Sequence, residues 1–592
     1  MSDKPFKLSQ FWQELKRRKV IYVITVYASA AFVIIELINN VVEPLNLPER
    51  TPTIAIILLA IGFPIVIIIS WIFDLTPKGM EKTKSFSEVQ DAERPVIQNR
   101  WKIATYVSIA VIIGLIILNT VGGPTKLKAG DIQSLVVLPF DNFTGDEDLE
   151  YFVSGMHSSL IGDMGKISGL RVISKTSSNV YKGVNMSVPQ IASELSVDAV
   201  VEAQVMCLGD SICLQVKVVS VYPEEKQLWV ADYKEEKSQI LNLYNRVTKQ
   251  IADEVMIELT EDEESLLSRA RTVDLEAYDA YLRGHQYVDD LSEESLNKAL
   301  EYLTFAIEKD PDWAPLYNGL AAVWGGRMQM GFIPPSIAMP LIYENLNKAF
   351  ELDPEFAGSH FTNATFGVWA EWNWDKGEKE FLKALGINPN DAMSRIYYAH
   401  LLAILQRFDE ALVQGQLAVE LDPMNPLILA LFAPVLISVD DWETALDYLE
   451  RALEIDPNNF FALGNFDMVA YQCSEYDKAI EALIIYMPLE DNIRRNIKKV
   501  YKERGIDSAY EEFLSQMELL AQNNYVSFFD LAARYLMLGQ NDRALDWFEN
   551  GLEMHDPNMP YITTGFFNTD PLEDNPRFLA ILEKMNLPMP KE

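Results

Sequence analysis

The chain has 592 residues, several times the size of one cooperative core, so at least three units are expected. Its 50 Lys and Arg stand against 86 Asp and Glu, a net charge of −36; residues 1–102 carry 13 basic and 10 acidic side chains, so the remainder carries −39. A surface that negative repels phosphate backbones and argues against nucleic acid as a partner, and three cysteines are too few for a disulfide framework or a four-thiolate zinc site.

Three apolar runs come first, at residues 20–42, 54–73 and 103–121. Each has about the 20 residues a helix needs to cross a bilayer, so three transmembrane helices are expected, the second kinked at Pro64. Glu36, the charge inside the first run, reads as a side chain snorkelling to an interface. Lys and Arg crowd the first 19 residues and the loop from Lys78 to Lys102, whereas the loop between the first two runs has only Arg50. That asymmetry predicts a bacterial inner-membrane protein with a cytoplasmic N-terminus, everything after the third crossing periplasmic, and the lipid bilayer as a partner. A cleaved signal peptide ending at Ala28-Ser29-Ala30 fits less well, because apolar residues continue to Ile38.

Residues 133–260 change to alternating elements. Strands are expected from Ser134, over LRVIS, from Asp198 to Leu208, from Ser211 to Tyr222 and from Gln227 to Tyr233. Helices are expected over Asp148 to Ile167, Val188 to Leu195 and Gln239 to Leu259, which makes a small α/β domain with a mixed sheet. Cys207 and Cys213 flank a Gly209-Asp210 turn. The register that aligns the apolar faces of the two strands points Cys207 inward and Cys213 outward, which disfavours a bridge. The acidic stretch TEDEESL after this domain reads as a solvated linker.

The blocks SLVVLPFDNFTGDEDLEYFVSGMHSSLIGDM, LRVISKTSSNVYKG, VDAVVEAQV and LWVADY, in that order, resemble the TolB amino-terminal and FlgO-like domain, which in bacterial envelope and signalling proteins often precedes tetratricopeptide repeats. FWQELKRRKV and GFPIVIIISWIFDLTPKGMEKT are similar to the membrane module of such proteins. The resemblance implies that relatives can carry a winged-helix DNA-binding or adenylate cyclase domain on the cytoplasmic side. Only about 19 residues precede the first apolar run, and neither domain fits there.

In residues 273–592 proline recurs at Pro311, Pro354, Pro389, Pro423 and Pro457, in steps of 43, 35, 34 and 34. A 34-residue period of paired helices is the tetratricopeptide signature, so an all-α superhelix with a C-terminal capping helix and roughly six to eight helix pairs is expected. Ala411, Ala445 and Ala479 share one phase of the period, and Ala418 and Ala452 another, where two helices must approach closely. The stretch from Asp491 to Gln522 is helical but off this register. The expected fold class is therefore multi-domain: three transmembrane α-helices, a small α/β mixed-sheet domain and an all-α superhelix.

No phosphate loop, dinucleotide fingerprint, paired-histidine zinc motif or serine-hydrolase elbow occurs, so no catalytic residue, cofactor or metal is expected. Repeat phase puts Phe366, Trp369, Met393, Ile396, His400, Leu427 and Ala430 along the first helices of the pairs, where such folds hold a protein or peptide partner in a groove, with Trp372 and Trp374 close by. The function expected is a membrane-anchored periplasmic scaffold or adaptor without catalysis. Its rival is a signalling subunit that relays ligand binding to a cytoplasmic cyclase, kinase or regulator.

Overall fold

The computed structural model describes residues 51–76, 79–82, 131–221, 225–269, 271–288, 291–486, 489–522, 526–565 and 568–590, with scattered positions between 20 and 35. Two compact units are present, residues 1–127 and 128–592.

In the first unit the second apolar run forms helix α1 (Thr51–Ile72), which contains Pro64 and leads into a hairpin of β1 (Phe73–Thr76) and β2 (Gly79–Lys82). The Tyr27 hydroxyl donates to Leu59 O at 2.7 Å. The expectation of three transmembrane helices is overturned: among the described residues no helix is long and apolar enough to cross a membrane. Residues 103–121 lie outside the described residues, as does most of 20–42 with Glu36. The inner-membrane location, the bilayer as partner and the cytoplasmic and periplasmic sides were all counted from three crossings, and they fall with them.

The second unit opens with a mixed sheet. Its strands are β3 (Ser134–Val137), β4 (Asp141–Asn142), β5 (Arg171–Val172), β6 (Ala199–Leu208), β7 (Ser211–Ser220) and β8 (Lys226–Glu236). They are ordered β5-β3-β6-β7-β8, with β4 beside β6. β3 runs parallel to β5 and β6, and β6, β7 and β8 form an antiparallel meander. Helices α2 (Glu150–Met164) and α5 (Ile240–Glu254) pack on each other, burying Phe152, Met156 and Leu160 of α2 and Leu243, Val247 and Ile251 of α5. Val136, Ile173 and Val200 pack with Ile191 and Leu195 of α4 (Val188–Leu195), which follows the five-residue α3 (Lys175–Asn179).

Cys207 and Cys213 are joined by a disulfide, against the sequence expectation. A register shift between Val205 and Cys207 takes up Met206 as an extra residue, so that Cys207 comes directly opposite Cys213. The TEDEESL stretch is mostly exposed, as expected of a solvated linker, but it is ordered and anchored. It forms helix α6 (Glu261–Leu266) behind a Thr260–Glu263 capping box, and the buried Glu263 accepts the Ser168 backbone N–H at 2.7 Å. Burial would raise the Glu263 pKa, but the hydrogen bonds from Ser168 and Thr260 outweigh it and lower the pKa.

Among the described residues eight antiparallel helix pairs follow. They are α7 (Leu275–Val288) with α8 (Glu293–Lys309), α9 (Ala314–Gln329) with α10 (Pro335–Leu352), α11 (Ala357–Thr365) with α12 (Trp374–Ile387), and α13 (Ala392–Ile404) with α14 (Phe408–Leu421). Next come α15 (Pro426–Ile437) with α16 (Trp442–Ile455), α17 (Phe460–Gln472) with α18 (Tyr476–Tyr486), α19 (Asp491–Arg504) with α20 (Ile506–Ala521), and α21 (Phe528–Met537) with α22 (Asn541–Met554). α23 (Pro576–Met585) packs on α22 at the end of the array. Side-chain caps start many of these helices: Asp391, Asn425, Asp441 and Asn459 accept backbone N–H groups at the heads of α13, α15, α16 and α17. Ala411, Ala418, Ala445, Ala452 and Ala479 are all fully buried on second helices.

Candidate interaction site

The residues that repeat phase assigned to an open groove lie on α13, α15 and the π turn Phe366–Ala370, and the chain itself covers two of them, Trp369 and His400. Residues 555–565, which follow α22 and include the 3-10 turn Met559–Thr563, cross these elements. Five contacts set the path. His555 stacks on Trp372 with ring centroids 3.7 Å apart, and its Nε2 lies 2.9 Å from Ala370 O. Tyr561 sits on Trp369 and His400, and the Thr563 hydroxyl donates to Ile404 O at 2.7 Å.

The polar contacts around Tyr561 allow one proton arrangement. His400 Nε2 is 2.6 Å from Leu431 O, a pure acceptor, so that nitrogen carries the proton. The other nitrogen, Nδ1, is then the acceptor for the Tyr561 hydroxyl at 2.8 Å. The Tyr561 oxygen in turn accepts from Trp369 Nε1 at 3.2 Å. Burial pushes the His400 pKa down to about 4, which keeps the ring neutral near pH 7 and preserves this relay.

The other predicted groove residues do not converge there. The Phe366 ring packs over Gly325, where an added Cβ would lie 2.7 Å from Phe366 Cζ, so this position has no room for a side chain. Ile396 and Ala430 are fully buried between helices, and Leu427 is half-buried against the same core. Met393 lines a cavity of about 250 Å³ where the α/β domain meets the repeats. Trp374 Nε1 donates to Met585 O at 3.1 Å and Asn586 O at 3.0 Å, so the end of the array folds back onto the start of α12.

The α/β domain docks on the turns between helix pairs. Asn390 Nδ2 donates to Gly165 O at 3.0 Å and Ile167 O at 3.1 Å, while its Oδ1 accepts the Val172 N–H at 3.0 Å. Asp422 Oδ1 accepts from the Ser177 hydroxyl at 2.6 Å and from its N–H at 3.1 Å. The Ser174 N–H donates to Leu421 O at 2.9 Å. The polar residues flanking Pro389 and Pro423 therefore close one helix pair and also hold the neighbouring domain.

An open apolar cleft lies elsewhere on the same central pairs. It has a volume of about 490 Å³ between α14 and α16 and is floored by Phe432 and Leu436 of α15. Leu412, Val413 and Leu417 form one wall and Tyr448 the other, with Gln416, Asp441 and Thr444 at the rim. Gly415 permits this floor, because a Cβ there would meet the Phe432 ring at 2.6 Å. Sequence reasoning missed both this cleft and the 555–565 strap. A signal for the first was a glycine inside the periodic pattern of α14; for the second, the out-of-phase apolar stretch MPYIT.

Among the described residues no group of three or more His, Cys, Asp or Glu is placed to hold a metal ion. No family model matches the chain. A Rhizobium meliloti (strain 1021) protein named "Putative adenylate cyclase 3" is 31% identical over 200 residues, 34% of this chain and 34% of that protein. The chain thus spans about a third of the length of that curated relative. Among solved structures, PilF of Pseudomonas aeruginosa is similar at 20% identity, covering 35% of this chain and 93% of that one with a TM-score of 0.28. A tetratricopeptide protein of Thermus thermophilus is similar at 16% identity, over 33% of this chain and 99% of that one, with a TM-score of 0.28. Human IFIT1 is similar at 14% identity, over 53% of this chain and 77% of that one, with a TM-score of 0.34. Scores this low leave the repeat assignment to the chain's own packing: helix pairs of 34-residue period, with a small residue at each tight contact.

Proposed function

We propose that this chain is a protein-interaction scaffold that works through its tetratricopeptide-type helix pairs and has no catalysis of its own. The observation that carries this reading is the apolar cleft between α14 and α16, left open while Trp369 and His400 of the expected groove are covered by residues 555–565. Stacked helix pairs present long, rigid surfaces suited to holding another chain. The α/β domain, which resembles the TolB amino-terminal and FlgO-like domain, braces the array through Asn390 and Asp422. Photo-crosslinking from exposed repeat positions such as Leu382, Ile455 and Leu519 in cells making the full chain is expected to yield discrete protein adducts. Absence of adducts from every position in a folded chain would sink the scaffold reading.

The alternative is a signalling subunit that works with a cyclase, kinase or regulator, supported by the 200-residue similarity to the protein named for adenylate cyclase. In both readings the purified chain makes no cyclic AMP from ATP with magnesium or manganese. Turnover that co-purifies with the chain and survives removal of every other protein would overturn the non-catalytic assignment.

A further inference from the structure

We infer that the cleft between α14 and α16 docks a partner segment that presents aliphatic side chains flanked by Lys or Arg. This deepens the scaffold reading and rests on it. The shape supplies the aliphatic half. Phe432 and Leu436 make the floor and Leu412, Val413, Leu417 and Tyr448 the walls, and Val413 is 56% exposed where the other apolar residues of α14 are buried or half-buried. A cleft of about 490 Å³ takes two or three aliphatic side chains, as in helix-in-groove recognition.

Charge supplies the other half. Between Arg407 and Arg451 the chain has nine Asp and Glu and no Lys or Arg. Of these, Asp409, Glu420, Glu443 and Asp447 are exposed on the two helices that form the walls, and Asp441 stands at the rim. The guanidinium of Arg407 is engaged by Glu378 and Glu410; that of Arg451 lies over the Tyr448 ring beside the cleft and is outnumbered there by the carboxylates. An approaching acidic segment therefore meets repulsion, and a basic one is drawn in and fixed by contacts at the rim. The cleft is walled by second helices, whereas Tyr561 is bound by residues of the π turn and of a first helix, so docking here leaves the 555–565 strap in place.

The test uses the full chain and three fluorescein-labelled 18-residue peptides: an amphipathic Leu/Lys helix, the same pattern in Leu/Glu, and a Gly/Lys peptide of equal charge. The Leu/Lys peptide is expected to bind at least tenfold more tightly than either control by fluorescence anisotropy. Val413→Asp, which places a carboxylate in the apolar wall, is expected to weaken it at least tenfold. Ile337→Asp, at a 54% exposed position on α10, is expected to leave it unchanged. Equal binding of the Leu/Lys and Gly/Lys peptides, or equal or tighter Leu/Lys binding by Val413→Asp, would reveal diffuse charge attraction and overturn the cleft. Crosslinked partners that form as well with Val413→Asp as with the unaltered chain would overturn the cleft while leaving the scaffold reading standing.

Discussion

The central helix pairs, α13 to α16, and the C-terminal pairs, α17 to α22, share one architecture and are held by different chemistry. In the centre every residue of α15 from Ile428 to Ile437 is buried, and alanines at full burial let the helices meet. Toward the C-terminus a guanidinium replaces that apolar filling. Arg534 on α21 is 2% exposed and grips Asp467 of α17 through two bonds, Nε to Oδ2 at 3.1 Å and Nη2 to Oδ1 at 2.8 Å. Tyr510 of α20 donates to the same carboxylate at 3.2 Å. Burial opposes the charge on Arg534, but Asp467 and Asp530 outweigh it and push its pKa up. One repeat geometry thus tolerates both an apolar and an ionic interior, provided the buried charges are paired.

The largest effect should come from breaking the ionic interior on one side only. Arg534→Met strands Asp467 and is expected to cost about 3–5 kcal/mol in urea unfolding, with hydrogen exchange rising in residues 460–554 before 392–455. Arg534→Met with Asp467→Leu should recover most of that loss. A double variant as unstable as the single one would show that packing, not charge, holds the C-terminal pairs. In the centre Ala445→Leu should overpack the contact between α15 and α16 and cost about 1–3 kcal/mol, with little change in exchange beyond α17. Tyr561→Phe removes the hydroxyl between Trp369 and His400 and is expected to cost about 1–2 kcal/mol and to alter Trp369 fluorescence.

The smallest effect concerns pH and belongs to the C-terminal pairs alone. Burial, only partly offset by Arg534, raises the Asp530 pKa to about 6 from an ordinary value of 3.8. The folded state therefore holds a proton that the unfolded chain releases between these values, so this group's contribution to stability falls as pH rises from about 4 to 6 and is level above that. Asp530→Asn should flatten this slope and gain about 1 kcal/mol at pH 7, since the side chain keeps some contact with water. An unchanged slope would assign the pH dependence to other carboxylates.

Local patterns were legible wherever one face of an element decides its fate. The Asp198–Leu208 and Ser211–Tyr222 strands were readable from alternation, and the repeats from the proline steps and the alanine phases. The off-register stretch Asp491–Gln522 still forms a helix pair, α19 and α20, because apolar spacing suffices without the alanine signature. The disulfide was misread because an extra residue in one strand of a hairpin reverses every later side chain, and no composition signal marks Met206 as that residue. The apolar N-terminal runs were read from hydropathy alone, and among the described residues no helix is long and apolar enough to cross a membrane.

Periodicity and capping are written within a few residues of one another, so the chain by itself specified helix pairs, their spacing and the small residues at their contacts. Which surface stays open is set by segments that meet across 160 to 250 positions of sequence, as Tyr561 meets His400 and Ser177 meets Asp422. Only the tertiary structure could show that the chain's own strap covers Trp369 and His400 and that the apolar cleft lies between second helices. A pattern of short period predicts which face of a helix is buried but holds no information on what buries it.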